Sequence, residues 1–600
     1  MCGIVGAIGS PRIANTLLDG LNRLEYRGYD SAGIATLTAD GVTRYRTAGR
    51  VEALARAVET VAFEGPIGIG HTRWATHGAP SRRNAHPHVS RGVAVVHNGI
   101  IENHKALRAE LVAAGLDFES ETDSEIIPKL IRHHRDAGLD HKAAVLACLR
   151  RLEGRFAFVA MFADLPDRLL IATADCPIVV GTGPEGVVIA SDAVAFDSGI
   201  ERIAFLEPRA LADVGREAIA LYDHDGNHRG SPDFTRRRRT GARAGDKAGF
   251  EHFMRKEIEE QPEVLSATLE ALRAPGHAAT FEVLRAAEAI DIVACGTSHY
   301  AGLIGGHWIA ESTGLPVHNE IASEYRYRRP ARRRDAAALF ISQSGETADT
   351  LACLDHAARH GRSTHAIVNV PESAIARAAG HVLPTVAGPE IGVASTKAFT
   401  AQLAVFLTVV EAMAGSRSDT AAAIARTRQI LPAGLRAVLE REESLAEAAR
   451  AISDRRSALF LGRGPLAPLA MEGALKLKET AYIHAEGLAA GELKHGPLAL
   501  VDPDMPVIVL APSDSLRDKV LSNAEEVAAR GGRILLLSDA AGIEAAGRPD
   551  WRNIELPESD AFSAPLLYAV ALQLLAYHAA RALGCDIDKP RNLAKSVTVE

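Results

Sequence analysis

From residue 250 onward one pattern recurs: a short apolar run, a polar or glycine-rich turn, then a helical segment. DIVACGTSHYAG, AALFISQSGETADT, THAIVNV, SALFLGRGPLAPLA, MPVIVLAPSDS and RILLLSD all follow it. Strands that read as unbroken apolar runs are buried on both faces, which is the habit of parallel sheets covered by helices. The second half of the chain is therefore expected to form doubly wound parallel sheets. The pattern also recurs at long range. ALFISQSGETADT, with a helix ending in AARHGRSTHAIVN, parallels MPVIVLAPSDS, with a helix ending in AARGGRILLLSD, about 170 residues later. Two copies of one domain are expected, over 250–430 and 431–600, and the second copy has lost the SQSGET hydroxyls.

Residues 2–230 have a different texture. CGIVGAI, AGIATLT, GVAVVH, FAFVAMF, LLIATA and GVVIAS are short β-type runs bounded by Gly, Asp and Pro, alternating with helical patterns at 13–24 and 125–134. A layered α/β arrangement rich in sheet is expected there. Between the two textures, 231–249 reads SPDFTRRRRTGARAGDKAG. The four arginines Arg236, Arg237, Arg238 and Arg239 suit an anion-binding patch or a localisation signal, but the surrounding chain is not basic, and the stretch reads as a solvated linker.

Composition sets the outer limits. With 47% hydrophobic residues over 600, the chain can bury large cores without disulfides or metals, and disorder is excluded as its dominant state. A net charge of −8, from 67 basic and 75 acidic residues, argues against nucleic acid or an anionic membrane as the main partner. The six cysteines, Cys2, Cys148, Cys176, Cys295, Cys353 and Cys585, form no CxxC pair, so reduced thiols in the cytoplasm are expected. MCGIVGAIGS lacks the basic and apolar regions of a secretory signal, and the apolar stretches 403–414 and 569–576 read as buried helices rather than membrane spans.

Cys2 follows Met1 directly. Removal of the methionine would leave an α-amine on the residue that carries the thiol. Such an amine can take the thiol proton near neutral pH, so one residue would supply nucleophile and base for attack on an amide. HTRWATHG (71–78), HNGIIEN (97–103) and ETDSE (121–125) border predicted strands and contain what cleavage of a free amino-acid amide requires. Arg73 can hold an α-carboxylate and Asp123 an α-ammonium. The Asn98 amide and the Gly99 N–H can hold the developing oxyanion, and Trp74 can cover the site. His71, His77, His86, His88 and His97 do not have the spacing of a helical zinc site and read as loop histidines.

MCGIVG, LEYRGYDSAG, HTRWATHG, NAHPHV, VVHNGIIEN and SETD together closely resemble the glutaminase domain of the glutamine–fructose-6-phosphate aminotransferases, the glucosamine-6-phosphate synthase family. The resemblance implies an N-terminal-nucleophile α-β-β-α layer sandwich, with Cys2 as nucleophile and Asn98 and Gly99 as oxyanion hole. It implies Arg73, Thr76, His77, Gly99 and Asp123 as glutamine contacts, and Trp74 and Arg27 at an ammonia-channel gate. The chain departs from the family's usual ARSGSPLVIG at 172–181, where it reads ATADCPIVVG.

In the second half, Cys295–Gly–Thr297–Ser298 and the run Ser342, Gln343, Ser344, Gly345, Glu346, Thr347 each follow a strand. Short hydroxyls and backbone N–H groups at the carboxyl ends of parallel strands suit a phosphate monoester. No GxxxxGK[ST] occurs. Gly462, Gly464 and Ala467 fit a loose GxGxxA without the acidic residue that a dinucleotide needs. Glu472, Lys476 and Glu479 fall on one helical face, as either a surface ion-pair ladder or an acid/base set. His495 and Lys595 complete the candidates, the latter either a solvated tail residue or a Schiff-base amine.

CGTS, ISQSGETADT, EIGVASTKAFT, LGRG, EGALKLKE, YIHAE, GELKHGPLAL and PRNLAKSVTVE again resemble the same family, in its tandem sugar-isomerase (SIS) domains. The resemblance implies Thr297, Ser298, Ser342, Gln343, Ser344 and Thr347 on the sugar phosphate, with Val393 and Ser395 near the hydroxyls. It implies Lys595 as Schiff-base lysine, His495 in ring opening, Glu479 as the base moving the C1 proton toward C2, and Lys476 assisting. It further implies L-glutamine and fructose 6-phosphate as substrates, no metal or organic cofactor, and a homodimer in which His495 serves the partner's site. A deglycase or other amidotransferase, and a sugar-phosphate sensor, are the rival readings. Cys2, Arg73 and Asp123 disfavour the deglycase, and Glu479, His495 and Lys595 disfavour the sensor.

Overall fold

The computed structural model describes residues 2–10, 12–59, 65–237, 247–328, 336–415 and 418–597. The chain divides into two compact units, one of Met1–Asp246 with Ser596–Glu600 and one of Lys247–Lys595.

The first unit stacks two antiparallel sheets between helices, one of eight described strands and one of seven. The alternation of Gly3–Ile8 shows why four layers form. Ile4 and Ile8 point between the sheets, where they meet Ile67, Ile69, Val96, Val159 and Ile171. Val5 and Ala7 point the other way, onto Leu17 and Leu21 of helix Ile13–Leu24. On the far side, Ile127, Leu130 and Ile131 of helix Ile126–Asp136 cover Phe156, Phe158, Val93 and Val95. Thr235–Arg236 pairs with Arg202–Phe205 at an edge of the eight-stranded sheet, so part of the stretch read as linker is strand. Arg237 donates to the carbonyls of Phe196 (3.1 Å) and Ala193 (3.3 Å), whereas Arg238 and Arg239 lie outside the described residues. In the departing 172–181 segment, Asp175 takes a left-handed φ of 61° and Cys176 is buried between the sheets.

The second unit contains two five-stranded sheets, each parallel throughout. In spatial order the first runs Val317–Ile321, Ala289–Ala294, Ala336–Ser342, Ser363–Val368, His381–Pro384. The second runs His484–Ala489, Ser457–Gly462, Pro506–Leu510, Arg533–Ser538, Arg552–Glu555. Both place the second strand of the copy at the edge, then the first, third, fourth and fifth, so the duplication read from the sequence is one of topology. A single apolar core joins the copies through helices Lys397–Ala414 and Ala564–Ala582, whose side chains are buried nearly all round. Lys397–Ala414 is the one described helix long and apolar enough to cross a membrane, and 83% of that window is buried inside the protein.

Candidate functional site

Cys2 immediately precedes the central strand Gly3–Ile8, next to strand Ile67–Arg73, whose end leads into Trp74. Its Sγ accepts the Trp74 N–H at 3.4 Å and lies 3.6 Å from the Trp74 carbonyl O. Burial pushes the Cys2 thiol above its ordinary value, and the Trp74 N–H and Arg73 guanidinium pull it back only in part. A thiol in that state needs a base before it can attack.

Asn98 and Gly99 sit on strand Val93–Ile101, paired with Ala157 and Phe156. The Asn98 Nδ2 donates to the Cys2 carbonyl O at 3.1 Å, which brings the amide beside the thiol residue. Gly99 has φ of 114°, and a Cβ there would lie 2.2 Å from the Arg155 carbonyl O. Both facts demand glycine.

Arg73 donates to the carbonyls of His77, Gly78 (3.1 Å) and Ala79 (3.4 Å). Three of its five N–H groups are thereby engaged in shaping the 74–79 loop. Asp123 is 2% exposed, accepts the Ile101 N–H at 2.9 Å, and lies 3.9 Å from His77 Nδ1. Thr76 Oγ1 lies 3.3 Å from the same nitrogen. Trp74 packs edge-on to Tyr29 at 6.1 Å between centroids. Arg27 is buried in an ion pair with Asp192. Asp30, in the GYDSAG motif but given no role from sequence, accepts the Ala75 N–H at 2.8 Å and so ties down the same loop. The histidines correct the sequence reading: His71, His86, His88 and His97 are buried, and His71, His88 and His97 lie on strands.

In the second unit the register pairs Ala294 with Ile341, so the turns after their two strands lie side by side at the carboxyl edge of the sheet. Ser342 Oγ lies 2.9 Å from Thr347 Oγ1 and accepts the Gly345 N–H at 3.0 Å, where Gly345 has φ of 65°. Ser344 Oγ accepts the Glu346 N–H at 3.1 Å, and the Gln343 carbonyl accepts the Asn369 N–H at 3.3 Å. Ser298 Oγ accepts from Gln402 Nε2 at 2.9 Å.

Thr297 connects this turn to helix Leu466–Ala481 of the other copy. Its Oγ1 donates to Glu472 at 3.2 Å and accepts from Lys476 Nζ at 3.1 Å. Lys476 Nζ also lies 2.7 Å from Glu479 and 3.3 Å from Glu472. The side chains of Lys476 and Glu472 are 1% and 3% exposed, so the group is not a surface ladder. Burial pushes Glu472 up to about 7 despite the adjacent ammonium. Burial alone would lower Lys476, but the two carboxylates outweigh it and raise it.

Lys595 is no solvated tail residue either: its ammonium pairs with Glu390, both fully enclosed. Burial would raise Glu390, yet Lys595 holds it below the ordinary carboxylate value, helped by the N–H groups of Ala398 (3.0 Å) and Thr396 (2.9 Å). Ser395 Oγ donates to Glu390 at 2.9 Å, and the Val393 N–H reaches the Asp588 carbonyl at 3.0 Å. Glu390 stands in the EIGVAST motif and Glu257 bonds that motif's backbone at Ile391 and Gly392, but only the tertiary structure distinguishes them. The His495 side chain is exposed and makes no hydrogen bond among the described residues.

The corresponding turn of the second copy is filled from within. Leu510 pairs with Leu537 as Ile341 pairs with Ile367, which sets Ala511 at the Ser342 position and Ser513 at the Ser344 position. The Ser513 N–H (2.8 Å), Ser513 Oγ (2.5 Å) and Gly542 N–H (2.9 Å) all donate to Asp539. An incoming phosphate would meet a carboxylate that already holds its donors, so the two copies differ in chemistry at this turn.

Comparison with known proteins bears on both units. The glutamine amidotransferase domain family matches residues 71–198, and the SIS domain family matches 283–412 and 451–582. A glutamine–fructose-6-phosphate aminotransferase (isomerizing) of Zymomonas mobilis is 47% identical over the whole of both chains, and one of Rhizobium meliloti is 46% identical over the same extent. The solved C-terminal domain of glucosamine-fructose-6-phosphate aminotransferase from Francisella tularensis is 41% identical, with a TM-score of 0.55, covering 58% of this chain and 100% of that domain.

Proposed function

The chain belongs to the glutamine–fructose-6-phosphate aminotransferase (isomerizing) family, and from that premise we propose how its two units divide the reaction. The overall activity is glutamine-dependent: the amide nitrogen of glutamine replaces an oxygen of fructose 6-phosphate, giving glucosamine 6-phosphate and glutamate.

In the first unit, Cys2 is the nucleophile. With Met1 removed, its own α-amine takes the thiol proton, and the thiolate attacks the glutamine amide carbon. The developing oxyanion is held by Asn98 Nδ2 and the Gly99 N–H. The Arg73 N–H groups not engaged by the loop hold the α-carboxylate, Asp123 holds the α-ammonium, and Thr76 and His77 close the pocket. Loss of ammonia leaves a thioester, which water hydrolyses to glutamate. The observation that carries this reading is the Asn98 amide, fixed with its nitrogen 3.1 Å from the Cys2 carbonyl O.

Free in water near pH 7, the ammonia would be mostly ammonium and no nucleophile. We therefore propose that it passes enclosed to the sugar site, with Trp74 and Arg27 at the gate. In the second unit, Thr297, Ser298, Ser342, Gln343, Ser344 and Thr347 hold the phosphate and sugar, with Val393 and Ser395 beside the hydroxyls. His495 assists ring opening. Lys595, as its free amine, condenses with the C2 carbonyl with loss of water, and ammonia then displaces it from the imine. Glu479 moves the C1 proton to C2 with Lys476 beside it. The exposed, unbonded His495 supports a homodimer in which it serves the partner's site. Six free thiols support a cytoplasmic setting.

Incubation with amide-¹⁵N glutamine and fructose 6-phosphate tests the scheme. Label should appear in glucosamine 6-phosphate, Cys2→Ala should abolish that transfer, and free ammonia should restore synthesis by the variant. Retention of label transfer in Cys2→Ala would sink it.

A further inference from the structure

His71 makes none of the proposed contacts to glutamine, yet it is fully buried on strand Ile67–Arg73, paired with Ile4, two residues beyond Cys2. Its Nε2 lies 2.9 Å from the His97 carbonyl O and 3.1 Å from Asn98 Oδ1. The orientation of the Asn98 amide is set independently. Its other terminal atom is 3.1 Å from the Cys2 carbonyl O, which can only accept, so that atom is the NH2 and the atom facing His71 is the oxygen. Two acceptors converging on one ring nitrogen require a hydrogen there.

A second histidine packs against the first. His86 Nδ1 lies 2.9 Å from His71 Nδ1 and 3.1 Å from His71 Nε2, with the rings edge-to-face at 4.0 Å. Nearly equal distances to both nitrogens put His86 Nδ1 over the face of the His71 ring, where it excludes water without selecting which nitrogen carries the hydrogen. Burial keeps both rings neutral, lowering His71 to about 3 and His86 well below its ordinary value, so each ring has one hydrogen to place.

We propose that His71 is a positioning residue for glutamine hydrolysis: its Nε2–H holds Asn98 Oδ1, so that the amide turns its N–H rather than its carbonyl toward the carbon attacked by Cys2, while His86 packs on the face of that ring. A side-chain amide costs little to flip when nothing fixes it. Flipped, Asn98 would set an acceptor against both the Cys2 carbonyl and the developing oxyanion, and the site would lose one of its two oxyanion donors. The inference rests on the glutaminase reading of Cys2, Asn98 and Gly99.

The test compares His71→Leu with His71→Gln in the full chain. Four quantities are measured: glutaminase kcat, KM for glutamine, the rate of Cys2 alkylation by iodoacetamide, and ammonia-dependent synthesis. Alkylation needs the thiol but no oxyanion donor. His71→Leu should lower kcat by about 100-fold, the loss typical of one oxyanion donor, with the other three quantities near wild type. His71→Gln, whose amide N–H can replace the ring N–H, should recover at least roughly tenfold of that loss. A glutaminase kcat for His71→Leu within about threefold of wild type would overturn the proposal. So would a parallel loss of alkylation, which would make His71 a packing residue, or a glutamine variant no better than the leucine one. Should His71→Leu fail to fold, His71→Phe, which keeps a flat ring and removes the N–H, takes its place: a kcat lowered at least roughly tenfold with intact alkylation supports the proposal, and an unchanged kcat overturns it. A wild-type chain without glutaminase activity would instead refute the glutaminase reading itself.

Discussion

Lys476→Met should separate the charge of the buried cluster from its shape, because methionine keeps the length of the stem and removes the ammonium. In the wild type one ammonium serves two carboxylates, Glu472 at 3.3 Å and Glu479 at 2.7 Å, and Lys476 and Glu472 are almost fully enclosed. Glu479, whose side chain is 21% exposed, can be rehydrated, but Glu472 cannot. Removing one partner of a buried pair costs about 3–5 kcal/mol, and the variant can escape only by protonating Glu472. The wild-type Glu472 already titrates at about 7, above its unfolded value, so its proton is bound below that pH at no additional cost. Above it, the wild type is ionised while the variant must hold a proton. Each further pH unit therefore adds roughly 1.4 kcal/mol to the difference. The assay is urea unfolding of the full chain by tryptophan fluorescence at pH 7 and 8. Two of the three tryptophans, Trp308 and Trp551, lie in the second unit, so the signal reports mainly there. Lys476→Met should be destabilised, more so at pH 8. The double variant Lys476→Met/Glu472→Gln should regain most of the loss and show no pH dependence of the difference, while synthesis stays impaired. A single variant within about 1 kcal/mol of wild type, or a double variant no more stable than the single one, would refute the reasoning.

Three further outcomes are expected. Gly99→Ala puts a Cβ 2.2 Å from the Arg155 carbonyl O at a φ of 114°, so the strand pair must spread and the Gly99 N–H must move. Glutaminase kcat should fall by about 10²–10³ while ammonia-dependent synthesis persists, and a steady-state assay of both activities checks it. Ser342→Ala removes the hydroxyl that organises Gly345 and Thr347, which should raise KM for fructose 6-phosphate by about 5–30-fold and leave glutaminase KM unchanged. Burial, followed by the neighbouring Glu390 carboxylate, raises Glu257 above the ordinary carboxylate range. Its folded-state proton is held more tightly than in the unfolded chain, so its contribution is complete in acid and lost as pH rises through the raised value. Glu257→Gln should flatten that decline in a series of melting curves between pH 6 and 9, and equal slopes for the two proteins would contradict it.

Much of this protein was legible without coordinates. Unbroken apolar strands followed by polar turns determine parallel sheets, because a strand buried on both faces can have no polar alternation. The recurrence of that pattern determined the duplication, and the ordered glutaminase motifs determined the family and singled out Cys2 as the candidate nucleophile. These are local properties, carried by neighbours in the chain. Tertiary structure decided matters of enclosure and partnership. It decided that Glu472, Lys476 and Glu479 form a buried charge cluster rather than a surface ladder, since helical spacing places them on one face but does not say what covers that face. It decided that Lys595 meets Glu390, 205 positions away in sequence, and that Asp539 rather than a phosphate takes the donors of the second copy. It also turned His71 and His86 from loop histidines into a buried pair behind Asn98. A side chain's charge state and hydrogen-bond direction follow from what water is excluded and which acceptors converge on it, and neither is written in the residues beside it.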